Sequence, residues 1–478
     1  MLLKELLDDV KNEFCDIDIK GITCDSRQVK DGFAYVCIKG AVNDGHDFAL
    51  SAKENGASVI IAEKTVGLDN EIVVDDTHAI YAVMSAKWFG NPAKKLKLVG
   101  VTGTNGKTSV TYMIKKILEA AGEKVGLIGT IQNMIGDEVI ETERTTPDCY
   151  QLNALFGKMA EKDCTYAVME VSSHALDQKR VYAVDFEAAI FTNLTQDHLD
   201  YHITMDNYLS AKKKLFTMSK KAIVNCDDIY SDKILKDLKC DKITVSVNDK
   251  NATYYADDIG FRADGVDFSL CGKSNLKLSM NTGGKFTVYN AMSAAVCALE
   301  LGIDKETVLN ALCTQEGVKG RAEVVKNPYN FTVIIDYAHT PDGLSNILNT
   351  FAELKTGRLV TLFGCGGDRD KTKRPIMGKI AAELSDFVIV TSDNPRSENP
   401  GSIILDILDG MKDCKTPYVT IENRIEAINY AIENAMENDI IILAGKGHET
   451  YQILADKTIH LDEREVVADA LNKRKEVE

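Results

Sequence analysis

Leu96-Lys-Leu-Val-Gly-Val-Thr102 runs directly into Gly103-Thr-Asn-Gly106-Lys107-Thr108. The first seven residues form an apolar run of strand length. A glycine turn follows, and then a helical pattern from about Lys107 to Ala121. A strand, a glycine turn and a helix start, in that order, are the setting of a phosphate-binding loop. Backbone N–H groups and the positive end of the helix attract phosphate oxygens. Lys107 is placed to reach the outer phosphates, and the Thr108 hydroxyl to ligate Mg2+. The strict pattern wants glycine where Val101 stands, so this is a shortened variant. Gly103, Thr104, Asn105, Gly106, Lys107, Thr108 and Ser109 are therefore expected to hold a nucleotide.

Thr165-Tyr-Ala-Val-Met-Glu170 and Ala188-Ala-Ile-Phe-Thr192 read as further buried strands. Strands alternating with helices predict an α/β fold with a parallel sheet covered on both faces. Glu170 ends its strand as a carboxylate ligand of a hard cation does, and Ser172, Ser173 and His174 follow it. Thr192-Asn-Leu-Thr-Gln-Asp-His198-Leu-Asp-Tyr-His202 also follows a strand. His198 is a candidate to ligate a metal or orient a phosphate, although two histidines four apart also fit a helix surface. On pattern alone Lys212, Lys213 and Lys214 read as a solvated helix face.

A third unit begins near Gly320-Arg321. Its apolar runs are 331–335, 358–363, 386–390 and 439–443, and each leads at once into polar or glycine-rich residues. Ligands of open parallel sheets bind beyond the carboxyl ends of strands, so four such junctions predict one shared site. Ahead of the phosphate loop, short strands at 33–38 and 58–62 precede a boundary at Asn91-Pro92.

The whole chain has 478 residues, room for about three domains. A net charge of −16 disfavours general binding to nucleic acid or anionic lipid. No apolar run approaches the ~18 residues of a membrane span. The acidic, amphipathic start (residues 1–10) is unlike an export signal. The twelve cysteines include no C-x-x-C pair and fit a reducing cytoplasm.

Six motifs taken in order resemble the Mur ligases. They are Gly103-Thr-Asn-Gly-Lys-Thr108, Glu170-Val-Ser-Ser-His174, Thr192-Asn-Leu with Asp197-His198-Leu-Asp-Tyr201, Gly320-Arg321, Asp336-Tyr-Ala-His-Thr-Pro341 and Gly445-Lys-Gly-His-Glu449. The resemblance runs from Asp25-Ser-Arg27 to Glu449 and is nearest to the members that add the third residue of the peptidoglycan stem peptide. It implies three domains: a UDP-sugar-binding α/β domain (1–92), a central P-loop ATPase-like domain (93–318) and a C-terminal Rossmann-like domain that takes the incoming amino acid (319–478). It also implies a cytoplasmic enzyme, expected to be a monomer, that uses ATP and Mg2+ to activate the D-glutamyl carboxylate of UDP-MurNAc-L-Ala-D-Glu as an acyl phosphate, which an amine then captures.

The resemblance assigns residues as follows. Lys107, His198 and Lys212 are catalytic, with Lys212 carbamylated by CO2. Thr108, Glu170, His198 and the modified Lys212 surround metal. Asn290, Arg321 and Asp336 join the phosphate loop around ATP. Ser26, with the loop Ala41-Val-Asn43 near it, and Thr145, Thr146, Ser172, Gln178 and Arg180 hold the UDP-linked dipeptide. Arg144 stands where many relatives have Asn. The incoming amino acid meets Arg369, Asp393, Asn394, Pro395, Arg396, Gly445 and Glu449. Members that select meso-diaminopimelate carry Asp-Asn-Pro-Arg at 393–396, and lysine-adding members usually carry Asp-Asp-Pro-Asn. Arginines that pair the far carboxylate of diaminopimelate would be left buried and unpaired by lysine. The competing readings are a lysine-adding or D-Ala-D-Ala-adding ligase, a folylpolyglutamate synthase, and a nucleotide-binding regulator without catalysis.

Overall fold

The structure is a computed structural model that describes residues 1–7, 14–40, 43–142, 144–262, 265–315 and 317–477. Ala41 and Val42 of the expected uridine loop, and the end of the acidic opening stretch, lie outside the described residues.

Three large sheets follow one another along the chain, and a two-stranded ribbon (Tyr451–Ile453 with Thr458–His460) lies near its end. Strands β1 (Gly21–Thr23), β2 (Phe33–Val36), β3 (Ala57–Ala62) and β4 (Glu71–Val73) form a parallel sheet in that order. Ile22, Val36, Val59 and Ile61 bury one face against Leu3, Leu6, Tyr81 and Met84. Cys149, from the next unit, joins that core and ties the two together.

The second sheet contains β5 (Lys97–Thr102), β6 (Val125–Ile128), β7 (Asn133–Ile135), β8 (Glu138–Ile140), β9 (Tyr166–Glu170), β10 (Phe186–Phe191), β11 (Ser219–Asn225), β12 (Asp241–Ser246), β13 (Tyr254–Arg262), β14 (Gly265–Gly272) and β15 (Leu276–Met280). Their order is β15-β14-β13-β12-β11-β10-β5-β9-β6-β7-β8. From β13 to β6 every neighbouring pair is parallel, and antiparallel strands extend both edges. Because successive strand residues point to opposite faces, Val99 and Val101 enter one core with Ile114 and Met292, while Leu98 enters the other with Phe186 and Phe216. The central strands β5, β6, β9 and β10 are mostly apolar because both of their faces are covered.

The topology fixes the site. Strand β5 lies between β9 and β10. The loop that leaves it therefore emerges between Glu170, at the end of β9, and Thr192, just after β10. A crevice at such a point, where neighbouring chain segments diverge, is where open α/β sheets hold ligands.

The third sheet consists of β16 (Glu323–Val325), β17 (Thr332–Asp336), β18 (Leu359–Phe363), β19 (Phe387–Val390), β20 (Tyr418–Thr420) and β21 (Ile440–Ala444), in the order β16-β17-β21-β18-β19-β20. Only β16 is antiparallel. The four apolar runs expected from the sequence are its adjacent inner strands, so their carboxyl ends open on one edge.

Candidate active site

Between β5 and the helix Lys107–Ala120, Gly106 has a φ of 85°. A Cβ there would lie 2.5 Å from Asn290 Oδ1, so glycine serves both the backbone conformation and the close approach. Residues after β10 hold the loop in place. Thr104 N donates to the Asn193 carbonyl (2.9 Å), Asn105 N to Asn193 Oδ1 (2.9 Å), and Thr192 Oγ1 to the Asn105 carbonyl (2.6 Å). Lys107 Nζ curls back to the carbonyls of Gly103 (3.0 Å) and Thr104 (2.7 Å). Desolvation lowers its pKa, against the raising effect of Glu170.

Thr108 Oγ1 donates to Glu170 Oε1 at 3.0 Å. Thr130 adds its N–H to the same oxygen (2.9 Å) and its hydroxyl to Oε2 (3.0 Å). Glu170 is 1% exposed, and no cation of the described residues lies within ion-pair distance of it. A buried carboxylate served only by neutral donors, beside a hydroxyl at a phosphate loop, fits a hard cation with oxygen ligands. Among the described residues no three His, Cys, Asp or Glu side chains form a metal cluster; Thr108 and Lys212 of the expected set are of other types.

The helix Met205–Thr217 overturns the pattern reading of its lysines. Lys213 and Lys214 reach the Lys233 carbonyl and Asp177 at the surface, but Lys212 is 1% exposed. Its Nζ donates to the Gly103 carbonyl at 2.8 Å, the oxygen that Lys107 also uses, and lies 4.5 Å from the Tyr208 ring centre. Burial, and then Lys107, hold its pKa well below the usual ammonium value. His198 is not on a helix surface. It has a φ of 53° and caps the single turn Leu199–His202. Its ring meets His174 edge-on at 4.9 Å, and Asp197 Oδ2 lies 3.5 Å from Nε2. Desolvation pushes its pKa down to about 4, although Asp197 opposes this.

Five of the six expected dipeptide contacts form one chain of bonds running from Glu170. Thr145 Oγ1 lies 3.0 Å from Thr130 Oγ1. Thr146 Oγ1 donates to the Glu170 carbonyl (2.9 Å) and accepts from Ser172 N (3.0 Å). Arg180 donates to the Thr146 carbonyl (2.8 Å) and to Gln178 Oε1 (2.7 Å). Arg144 is exposed, and its charge helps lower the pKa of Arg180, after burial. Ser26 stands apart, in a turn at the end of the first sheet where Asp25 caps Arg27 N (3.0 Å).

The third sheet faces the loop across a cleft of about 720 Å3, lined by Lys107, Thr108, Asn290, Arg321, Tyr337 and Asp342 among others. Arg321 Nη2 reaches Thr108 Oγ1 at 3.3 Å, its guanidinium lies 4.7 Å from the Tyr337 ring centre, and its buried Nε has no partner among the described residues. A buried donor without an acceptor suits an anionic ligand. Asp336 is committed to backbone N–H groups of Ala322 (2.7 Å) and Ala338 (2.8 Å), and desolvation raises its pKa.

The expected amino-acid residues gather beyond β18, β19 and β21. Gly445 N donates to the Asp336 carbonyl (3.0 Å), which joins this group to the cleft. Its φ is 117°, and a Cβ would lie 2.6 Å from Asp393 Oδ2. Asn394 Nδ2 donates to Glu449 Oε2 (2.9 Å). Arg396, at φ 52°, donates to the Gly367 carbonyl (2.9 Å). Pro395 packs its carbonyl on Gly367, and the exposed Arg369 donates to the Asp368 carbonyl (3.0 Å). Sequence reasoning missed Thr130, Asn193, Asp342 and Lys446. Asn193 and Lys446 lie inside the quoted motifs, but Thr130 and Asp342 carry no local signal.

Similarity to known proteins runs along nearly the whole chain. Residues 18–94 match the Mur ligase family catalytic domain, 101–298 the Mur ligase middle domain and 320–447 the Mur ligase glutamate ligase domain. The UDP-N-acetylmuramoyl-L-alanyl-D-glutamate–2,6-diaminopimelate ligase of Clostridium botulinum is 49% identical, with 95% of this chain and 96% of the relative aligned. That of Bacillus velezensis is 44% identical, with 97% of each chain aligned. A solved structure of a ligase of the same name aligns over 99% of both chains with a TM-score of 0.74 and 31% identity. MurF from Thermotoga maritima, in complex with ADP, shares the fold with a TM-score of 0.62 at 16% identity, over 97% of this chain and 99% of that one.

Proposed function

The chain belongs to the Mur ligase family, and from that premise we propose that it is the ATP-dependent ligase that joins meso-diaminopimelate to the D-glutamyl residue of UDP-MurNAc-L-Ala-D-Glu in peptidoglycan precursor synthesis. The observation that carries the reading is the joining of two sites: a phosphate loop flanked by a buried carboxylate, and across the cleft an Asp393-Asn-Pro-Arg396 cluster tied to it through Asp336 and Gly445. Residues 1–92 hold the UDP-sugar, 93–318 the ATP and 319–478 the amino acid. Ser26 is the uridine contact. The five linked residues from Thr145 to Arg180 lead the dipeptide towards Glu170. No described helix is long and apolar enough to cross a membrane, and the enzyme works in the cytoplasm as a monomer.

A carboxylate is a poor acyl donor because oxide would have to leave. Its oxygen therefore attacks the γ-phosphorus, and ADP departs. The amine nitrogen then adds to the acyl carbon, the C–O bond to phosphate breaks with its electron pair on oxygen, and the nitrogen loses a proton. Both reactants of the first step are anions. Lys107 and Arg321 carry positive charge to where they meet. Arg321 Nε and Nη2 point an incomplete hydrogen-bonding set at the anion, and Asn290 lines the same wall. Thr108, Glu170, His198 and Lys212 would hold Mg2+, which supplies charge neutralisation between phosphate and carboxylate. His198 is a neutral imidazole at pH 7, as a metal ligand must be.

Lys212 takes part as a carbamate: its amine nitrogen bonds the carbon of CO2 and a proton is released. This reading is supported by two ammonium-bearing side chains that share the Gly103 carbonyl while no acid of the described residues pairs with Lys212. A neutral amine is the form that attacks CO2, and a carboxylate-bearing product removes a like charge from beside Lys107.

The test is product mass spectrometry with meso-diaminopimelate and lysine in competition, alongside ADP release. The expected product is the diaminopimelate tripeptide, formed only when both the dipeptide and the amino acid are present. Equal incorporation of lysine, or no tripeptide and no ADP, rejects the assignment.

A further inference from the structure

Lys446 lies beneath the amino-acid cluster and is 0% exposed. Its Nζ donates to Asn394 Oδ1 at 2.9 Å and to Glu449 Oε2 at 3.0 Å, and Asp393 Oδ1 is 3.9 Å away. These bonds determine the orientation of two other side chains. Asn394 Oδ1 also accepts from the N–H of Ile453 at 2.9 Å. With two donors on one side, the amide has to present its carbonyl there and turn its NH2 the other way, where Nδ2 meets Glu449 Oε2 at 2.9 Å. Glu449 Oε2 is thus held by two donors, while Oε1 takes no hydrogen bond from the described residues. The Glu449 side chain is 13% exposed, so it is anchored without being sealed from solvent.

We infer that Lys446 is a positioning residue for the incoming amino acid, fixing the Asn394 amide and the Glu449 carboxylate so that Glu449 Oε1 is presented to an ammonium of the ligand. The inference rests on the diaminopimelate reading and goes beyond it by assigning a role to a residue that cannot itself touch substrate. A structural role alone would require only that the buried ammonium be neutralised, which Glu449 does without Asn394. The geometry does more. One ammonium selects which face of the amide points at Glu449 and leaves one carboxylate oxygen unengaged. An apolar replacement would leave the amide with one donor fewer and the carboxylate with one anchor fewer. A hydrogen bond to a charged partner lost at such a place corresponds to roughly tenfold to a hundredfold in affinity.

The experiment compares wild type, Lys446→Met, Glu449→Gln and the double variant, with steady-state kinetics for each substrate and circular dichroism to confirm folding. Lys446→Met should raise KM for meso-diaminopimelate by at least about tenfold while KM for ATP and for the UDP-dipeptide stays within about twofold. In the Glu449→Gln background the same change should cost little more, because its effect passes through Glu449. If Lys446→Met does not fold, Lys446→Gln, which keeps a donor for the Asn394 carbonyl, takes its place with the same expectation of direction. An unchanged KM for diaminopimelate, an equal rise for all three substrates, or full additivity with Glu449→Gln overturns the inference. Wild-type enzyme that makes no diaminopimelate tripeptide would instead sink the functional reading on which it stands.

Discussion

Lys212 and Lys107 place two amines on one carbonyl oxygen at 2.8 and 3.0 Å. Two full charges there would repel in a poorly solvated site, so one of the pair is expected to lose its proton or be modified. Lys212 is the more enclosed and has its pKa driven furthest down. Lys212→Ala should lower kcat by a hundredfold or more, on the order of the loss from one removed transition-state partner. Bicarbonate should not restore it, because no amine is left to modify, whereas a short carboxylic acid should restore part of it. Activity unaffected by the change would remove the carbamate from the account. Arg396 makes a different kind of contribution. Its Nη1 donates to the carbonyls of Gly367 and Asn394, which leaves Nε and Nη2 for a ligand carboxylate. Arg396→Ala should raise KM for diaminopimelate by about tenfold or more and leave KM for ATP alone; a matching rise for ATP would count against the role. His202 gives a test by pH. Its ring is stacked on Tyr208, bonded to Ser173 at 2.9 Å and pushed down to about 4 by burial, with His174 adding to the effect. As pH falls from about 6.5 towards 4, the unfolded chain takes up a proton that the fold refuses, so this group's contribution to stability declines through that window. The stability advantage of wild type over His202→Asn should therefore shrink between pH 7 and 5. Parallel curves in urea unfolding would contradict the assignment.

Between the turn Leu199–His202 and the helix that carries Lys212, Ile203 adopts φ 68° and ψ −45°. That conformation is strained for a β-branched residue, and the residue is 77% exposed, so little packing offsets it. The Thr204 N–H closes the turn on the His202 carbonyl at 2.7 Å, which lets the chain reverse and bring His198 and Lys212 to the same loop. Ile203→Gly should stabilise the fold by about 1 kcal/mol, the strain released less the extra freedom of the unfolded glycine. A lowered thermal midpoint would show that the turn is not under strain. The elements themselves were largely readable from sequence. The strand, glycine loop and helix at 97–120, and the four inner strands of the third sheet, each announce themselves by an apolar run ending in polar residues. The antiparallel strands β7, β8, β14 and β15 were not anticipated, because edge strands carry no continuous apolar signal. Nor does periodicity show that Lys212 is buried beside two surface lysines, or that Lys446 is buried inside a glycine-rich turn. Each is held by a residue far away in the chain: the Gly103 carbonyl for Lys212 and the Asn394 side chain for Lys446. For His198 the four-residue spacing to His202 fits a helix surface as well as a ligand, and the left-handed backbone that takes it off a helix surface leaves no mark in the local pattern.

Across the whole molecule, the proposed reaction requires the loop of the second sheet and the cluster of the third to act as one site, and among the described residues few direct bonds join the two units. Arg321 reaches Thr108 at 3.3 Å. Asp342 makes a second tie, in the first turn of the helix Pro341–Ala352; its Oδ2 accepts from Asn105 Nδ2 at 2.7 Å and Thr195 Oγ1 at 3.0 Å. Asn105 belongs to the phosphate loop, and Thr195 to the segment that carries His198. One carboxylate on the third domain thus holds both walls of the nucleotide site, and it does so at a helix N-terminus, where negative charge is favoured. Lids and domains of this kind close to exclude water and complete the reacting set. Asp342→Ala keeps the helix, because Thr340 still caps Gly343 N at 3.1 Å, but it removes both cross-domain bonds. KM for ATP should rise about tenfold, the equivalent of one charge-assisted hydrogen bond lost. Small-angle scattering of the ATP-bound variant should show a larger radius of gyration than wild type, while the free proteins unfold at nearly the same temperature. An ATP-bound variant as compact as wild type and equally active would mean that closure is carried by Arg321 and the ligand alone.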